Sequence, residues 1–210
     1  MSLRRFLIVL VVGVIGLAAV VELVAPSVVE ARIEERVRER TRDVAAVSAD
    51  VDSFPIVARL LTTGRIRRMT LTLDQLVRQR VTFATVRFHV EGLELDRDVL
   101  LRRQEVELRD IETGMLTAEL TAAMISDLVG ATVELRPGQV SVTLGGTTVT
   151  AQPEIRDRTL RLGGRRATAL RVALPEELVT CAPDVEVQLG RMVLSCRIQE
   201  LPSLLKDANT

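Results

Sequence analysis

Apolar residues recur along this chain at two different spacings, and the change between them divides it. Val29, Ile33 and Val37 fall four apart and Val44 follows seven later. That spacing predicts one apolar face of a helix over residues 26–44. The other positions are dense in Glu and Arg, with Glu34 and Arg38 oriented for a helical pair. This face is expected in solvent; the sharper alternative is a stalk lifting a domain off a bilayer. A short helix is then predicted over residues 55–63. Asp52 and Ser53 offer capping oxygens, Pro55 fits a first turn and holds Phe54 out of it, and Gly64 is a natural stop. Ile56, Leu60 and Leu61 form its apolar side. At Met69, Leu71 and Leu73 the spacing becomes two, the period of a strand.

From residue 81 the pattern is mostly of this second kind. Val86, Phe88 and Val90 share a face, whereas Leu93 and Leu95 have moved by one position, and a β-bulge is expected at Gly92. Val106 with Leu108, then Leu116, Ala118 and Leu120, continue the alternation. A second short helix is predicted over residues 121–130, with Met124, Ile125 and Leu128 on its apolar face, Thr121 as cap and Gly130 as stop. Short alternating runs follow: Val133 and Leu135; Val140, Val142 and Leu144; Leu160 and Leu162; Leu170, Val172 and Leu174; Val185, Val187 and Leu189. Pro137-Gly138, Gly145-Gly146 and Gly163-Gly164 supply turns between the earlier ones, the pattern of an antiparallel meander. No intervening helix is long enough for parallel crossovers. The expected fold is a single α+β domain over residues 45–205. It is a strongly curved antiparallel sheet with two short helices on its concave face, preceded by an amino-terminal hydrophobic helix. Residues 206–210 are expected as a frayed tail.

Composition sharpens this in three places. Arg4 and Arg5 precede an uncharged run over residues 6–21, then Glu22. A positive start before such a run predicts a signal anchor or a cleaved signal peptide over residues 1–25. At 16 residues it is shorter than the ~20 of a comfortable span, and Pro26 disfavours cleavage after Ala25. Both readings put the rest of the chain outside the cytoplasm. Cys181 and Cys196 are the only cysteines, and an exported chain with an even count usually pairs them. Their spacing suits two neighbouring strands. The charge balance is zero and the chain has no Trp or Tyr, which excludes the basic, base-stacking footprint of a nucleic-acid binder.

Catalytic and cofactor chemistry is not legible. The serines form no GxSxG elbow. His89 is the only imidazole and should face outward with Arg87 and Glu91. Asp96 and Asp98 belong to turn chemistry without the rest of a calcium loop. The glycine pairs belong to hairpins, and one histidine with no CxxC spacing argues against a metal site. No cofactor is expected. What remains is the apolar inner face, and periodicity alone leaves open whether it is a packed core or a lipid groove.

The amino-terminal hydrophobic segment, Phe54-Pro55 running to Gly64, the GLELD strand (residues 92–96), the mid-chain short helix and Leu201-Pro202 after the meander together resemble the actinobacterial LmeA-like envelope proteins. The resemblance covers roughly residues 28–205. It implies a tubular lipid-binding fold, a phospholipid ligand and a role in envelope lipid or lipoglycan maintenance. At least one member is associated with phospholipase activity, but no catalytic motif carries over. On this resemblance, Phe54, Ile56, Leu60, Met69, Leu71, Phe88, Leu116, Met124, Ile125 and Leu128 would line an acyl-chain groove. Arg65, Arg67 and Arg68 would meet the headgroup, or else form a solvated strand edge. The alternatives are an acyl hydrolase and a structural module that binds protein partners.

Overall fold

The computed structural model describes residues 20, 22, 24–35, 37–38, 43–96, 98–99, 102, 108–162, 170–200 and 202. The expected anchor over residues 1–25 and the tail 206–210 lie wholly or largely outside them, as do Val106 and the Gly163-Gly164 turn. Among the described residues no helix is long and apolar enough to cross a membrane.

The long alternation after Gly64 produces the two longest strands, β2 (Arg65–Arg78) and β3 (Val81–Leu95). Their register sets Met69 opposite Val90, Leu71 opposite Phe88 and Leu73 opposite Val86. All six are buried. A slip of one residue would turn the whole set to solvent, so the pairing is strongly specified. Each such side chain contributes roughly 1.5–3 kcal/mol when fully buried. Around these strands the large sheet adds β1 (Ala46–Asp52), β5 (Thr113–Thr121), β13 (Arg191–Ile198) and β12 (Asp184–Gln188), in the order β1-β2-β3-β5-β13-β12, with β4 (Leu108–Asp110) also on β3. Every pairing is antiparallel. The sheet is open, not a closed barrel, with β1 and β12 at its edges.

The phase change at Gly92 is present, but its cause differs from the expected bulge. Arg68 pairs with Glu91 and Ile66 with Leu93, so β2 and β3 keep one register across it. No residue is inserted. Both strands change phase at the same level, burying Ile66 and Met69 on β2 opposite Leu93 and Val90 on β3. Gly92 makes the turn in the left-handed region, at φ +64°. A side chain there would also collide with Glu112, whose Cβ lies 2.6 Å from the position of an added Cβ.

Two smaller antiparallel sheets complete the strands. One is β6 (Thr132–Arg136), β7 (Gln139–Leu144) and β8 (Thr147–Ala151); the other is β9 (Glu154–Arg156), β10 (Thr159–Leu162) and β11 (Leu170–Ala173). Val133, Leu135, Val140, Leu160, Leu162 and Val172 bring their inner faces into the same core as the large sheet. Leu144 and Leu189, which continue the apolar runs in sequence, are exposed at 59% and 79%. Both stand beside glycines of tight turns, where alternation no longer decides the side a residue takes.

Among the described residues, three helices pack on this framework. The amino-terminal helix α1 includes residues 20, 22, 24–35 and 37–38. Its expected stripe faces inward: Ile33 is buried, and Val29, Val37 and the following Val44 pack against the core. Glu34, however, does not pair with Arg38. Its Oε1 accepts a 3.0 Å bond from the Ala49 amide, and Glu30 Oε1 accepts one of 3.0 Å from Val51. These are outward amides of edge strand β1, so α1 covers the edge and supplies acceptors to it. This overturns the stalk alternative. The two expected short helices are α2 (Ile56–Thr62) and α3 (Ala122–Val129). Ile56 and Ile125 anchor them in the core at 1% exposure each. Cys181 and Cys196 sit with Cα atoms 6.0 Å apart beside the β12–β13 pair, within the range a disulfide bridges.

Candidate functional site: an arginine recess at the α2 end

The chain turns sharply three times where α2 meets the sheet, and these turns gather charge. Gly64 ends α2 at φ +68° and accepts the Leu95 amide at 2.8 Å. β2 leaves at once with Arg65, Arg67 and Arg68. β3 arrives opposite with Glu91, Gly92 and Glu94. The result is a recess of about 380 Å3 lined by Arg59, Arg65, Ile66, Arg67, Arg68, Glu91, Gly92 and Glu112. Its cations exceed its carboxylates.

The guanidinium groups are not equivalent. Arg65 is paired with Glu94. Arg68 is held between Asp52 at 3.0 Å and Glu91 at 3.4 Å. Arg67 donates only its backbone amide, to Ser53 Oγ at 3.0 Å. Among the described residues its side chain has no carboxylate within ion-pair reach, and neither does that of Arg59. The Nε of Arg59 is buried with no hydrogen-bond partner. A buried, unsatisfied N–H costs about 1–3 kcal/mol unless an acceptor reaches it. Arg59 and Arg67 are thus the cations of this recess without a carboxylate partner among the described residues.

Arg59 was missed because a lone arginine in the apolar helix IVARLLT looks like a solvent-facing residue. The signal was there: one cation among apolar neighbours, one turn before the Gly64 stop. The expected caps of α2 also differ. Ser53 and Asp52 are engaged by Arg67 and Arg68, and no side chain of the local sequence caps the amino end of the helix. The cap comes from α1: Glu22 accepts from the Val57 amide at 3.2 Å and the Ala58 amide at 3.1 Å.

Beside the recess lies a second one of about 600 Å3, lined by Thr63, Arg65, Glu94, Leu95, Asp96, Asp98 and Arg109. Asp96 accepts from the Asp98 and Val99 amides at 2.9 and 3.1 Å and is paired with Arg109. The Val99 amide, chiefly, holds its carboxyl below the ordinary carboxylate value; burial opposes this and Arg109 adds to it. This is turn and capping chemistry, as expected for these two aspartates.

The expected groove residues divide into two sets. Ile56, Met69, Leu71, Phe88, Leu116 and Ile125 are 0–2% exposed and belong to the packed core. Leu60, Met124 and Leu128 are half-buried at its margin, and Phe54 is 73% exposed. The apolar interior is therefore closed to solvent here. His89 faces outward, as expected, on the opposite side of the sheet. Thr70 Oγ1 lies 3.0 Å from its Nδ1 and Glu91 Oε1 lies 3.8 Å from its Nε2. Glu91 is shared with Arg68.

Fold and recess define an α+β protein with a packed apolar interior and an arginine-lined recess at the α2 end. The family model of LmeA-like phospholipid-binding proteins matches residues 20–206, and the chain belongs to that family. No curated protein and no solved structure gives a significant match.

Proposed function

We propose that this is an extracytoplasmic phospholipid-binding protein of the cell envelope, which holds the lipid phosphate in the recess at the α2 end and takes acyl chains beneath α2. Family membership supports the ligand class. The observation that carries the site is the pair Arg59 and Arg67, without carboxylate partners beside a buried, unsatisfied Nε. Of the three arginines expected to meet the headgroup, Arg67 is free to do so, and Arg65 and Arg68 position it through their ion pairs.

The acyl route follows from how α2 is held. Among its described side chains only Ile56 is fully buried, and its amino end depends on Glu22. Displacing this one short helix would open the side of a sheet already lined by Met69, Leu71 and Phe88, strongly curved around the acyl chain when occupied. Each lipid methylene then buried contributes about 0.8 kcal/mol. The amino-terminal uncharged run, read as anchor or cleaved signal, supports a location outside the cytoplasm, and a Cys181–Cys196 disulfide suits that compartment. Maintenance of envelope lipid or lipoglycan is the corresponding role.

Native mass spectrometry of the gently purified chain tests this. It should show one phospholipid retained by the wild type and lost in Arg59→Gln/Arg67→Gln. Folded protein that is repeatedly empty would count against the reading. The closed interior would then favour a second one, a structural module that binds protein partners.

A further inference from the structure

We infer that the α2 end of the domain docks on an anionic lipid bilayer, with Phe54 inserted among the acyl chains and Arg59 and Arg67 at the level of the phosphates. The docking rests on the phospholipid reading for the nature of the surface, not for the uptake of a cargo.

Phe54 is one of four phenylalanines. Phe83 and Phe88 are fully buried, whereas Phe54 stands 73% exposed at the junction of β1 and α2. Nothing in the packing explains an aromatic ring left in water there. Its neighbour Ser53 accepts the Arg67 amide, which ties this junction to the strand that lines the recess. The start of α1 is fixed at the same place, because Glu22 caps α2 two residues beyond Pro55. Along α1, Val20, Val24 and Val28 are 57%, 52% and 53% exposed. Their four-residue spacing makes one outward stripe, while Ala25 and Val29 face the core. The uncharged run 6–21 leads in sequence directly into this stripe.

Apolar surface beside unmatched cations is the pattern of a protein face that rests in the lipid headgroup layer. Charge also decides against the other obvious occupant. A second copy meeting this patch across a two-fold axis would bring the same positive rim against itself. A bilayer carrying anionic phosphates offers the complement. Docked in this way, the recess opens onto the lipid surface.

The absence of tryptophan and tyrosine supplies the experiment. Full-length chain carrying Phe54→Trp, reconstituted into vesicles of phosphatidylcholine and phosphatidylglycerol with brominated acyl chains, has a single indole as depth probe. The matched chain carries Leu189→Trp, at a site 79% exposed at the far end of the sheet. The two ends are about 27 Å apart along β5. Docking predicts blue-shifted emission and about twofold or stronger bromine quenching for the first chain and none for the second. Arg59→Gln and Arg67→Gln in the Phe54→Trp background should each weaken the preference for phosphatidylglycerol about fivefold. Equal quenching at the two sites, or none at Phe54→Trp, would overturn the proposal. So would a blue shift that appears without lipid and grows with protein concentration, which assigns the patch to another copy. Retained phospholipid in mass spectra together with an unquenched indole would sink the docking alone; the reverse result would sink the cargo reading alone.

Discussion

The two short helices are close in length and stand at opposite ends of the same sheet, yet they are held in opposite ways. Helix α3 is completed by its own neighbourhood. Thr121 accepts the Met124 amide, Gly130 ends the helix in the left-handed region, and Ser126 Oγ donates to the Ala122 carbonyl while accepting the Val133 amide. Helix α2 has no side-chain cap from its own neighbourhood at its amino end, although Thr63 Oγ1 donates to the Arg59 carbonyl at the other. The carboxylate that satisfies its first amides comes from Glu22, 35 residues earlier. A helix closed by local bonds stays formed while its sheet is formed. A helix closed by a distant one opens when that partner leaves. On the proposed function, the contrast makes α3 part of the scaffold and α2 the moving wall.

The largest expected effect comes from removing each helix's anchor. Ile125→Ala should cost about 2–5 kcal/mol of global stability, as buried Ile-to-Ala changes do. Ile56→Ala should cost clearly less in denaturant melts, because α2 can detach without unfolding the sheet, but should raise hydrogen exchange across residues 56–62. Equal losses of global stability for the two would remove the distinction between scaffold and wall.

Next in size are the caps. Glu22→Ala leaves two amides unsatisfied and should cost about 1–2 kcal/mol. Its signature is exchange confined to Val57, Ala58 and their helix. Thr121→Ala should cost about 1 kcal/mol and appear in the global transition. If Glu22→Ala instead loosens β1 and α1 together with α2, the helix is not an independent wall.

The same contrast explains what could be read from the chain. Helix α3 was legible to its ends, because Thr121, the Met124-Ile125-Leu128 face and Gly130 lie within ten consecutive residues. The core of β2, β3 and β5 was legible because alternation survives any register that keeps it buried. At α2 the start and stop were legible, and the cap was not. Glu22 looked like the polar boundary of an apolar segment, and only the tertiary fold brings its carboxylate to Val57. Glu34 failed in the same way, since helical spacing favours Arg38 and the structure gives it to Ala49. Of the three arginines expected at a headgroup, Arg65 and Arg68 are paired and Arg67 has no carboxylate partner among the described residues. Which one lacks a partner was decided by the carboxylates of β1 and β3 opposite them, and strand pairing is not written in spacing.

The smallest effect concerns acid, and it sharpens the comparison at the α2 end alone. Asp96 holds the turn that follows β3, and its carboxyl is depressed chiefly by the Val99 amide. A depressed carboxylate contributes stability above its unfolded value, near 3.8, and that contribution is lost as pH falls through the lower folded value. Neutral solutions therefore retain all of it, and the loss begins below about pH 4. On acidification the Asp98 and Val99 amides should exchange faster before those of α3 do. Asp96→Asn keeps an acceptor for the two amides and gives up the charge facing Arg109. It should change little at neutral pH and should flatten the acid response of these two amides. An acid response of the same size in the variant would mean that some other carboxylate governs the turn, and that Asp96 is only a spectator of its opening.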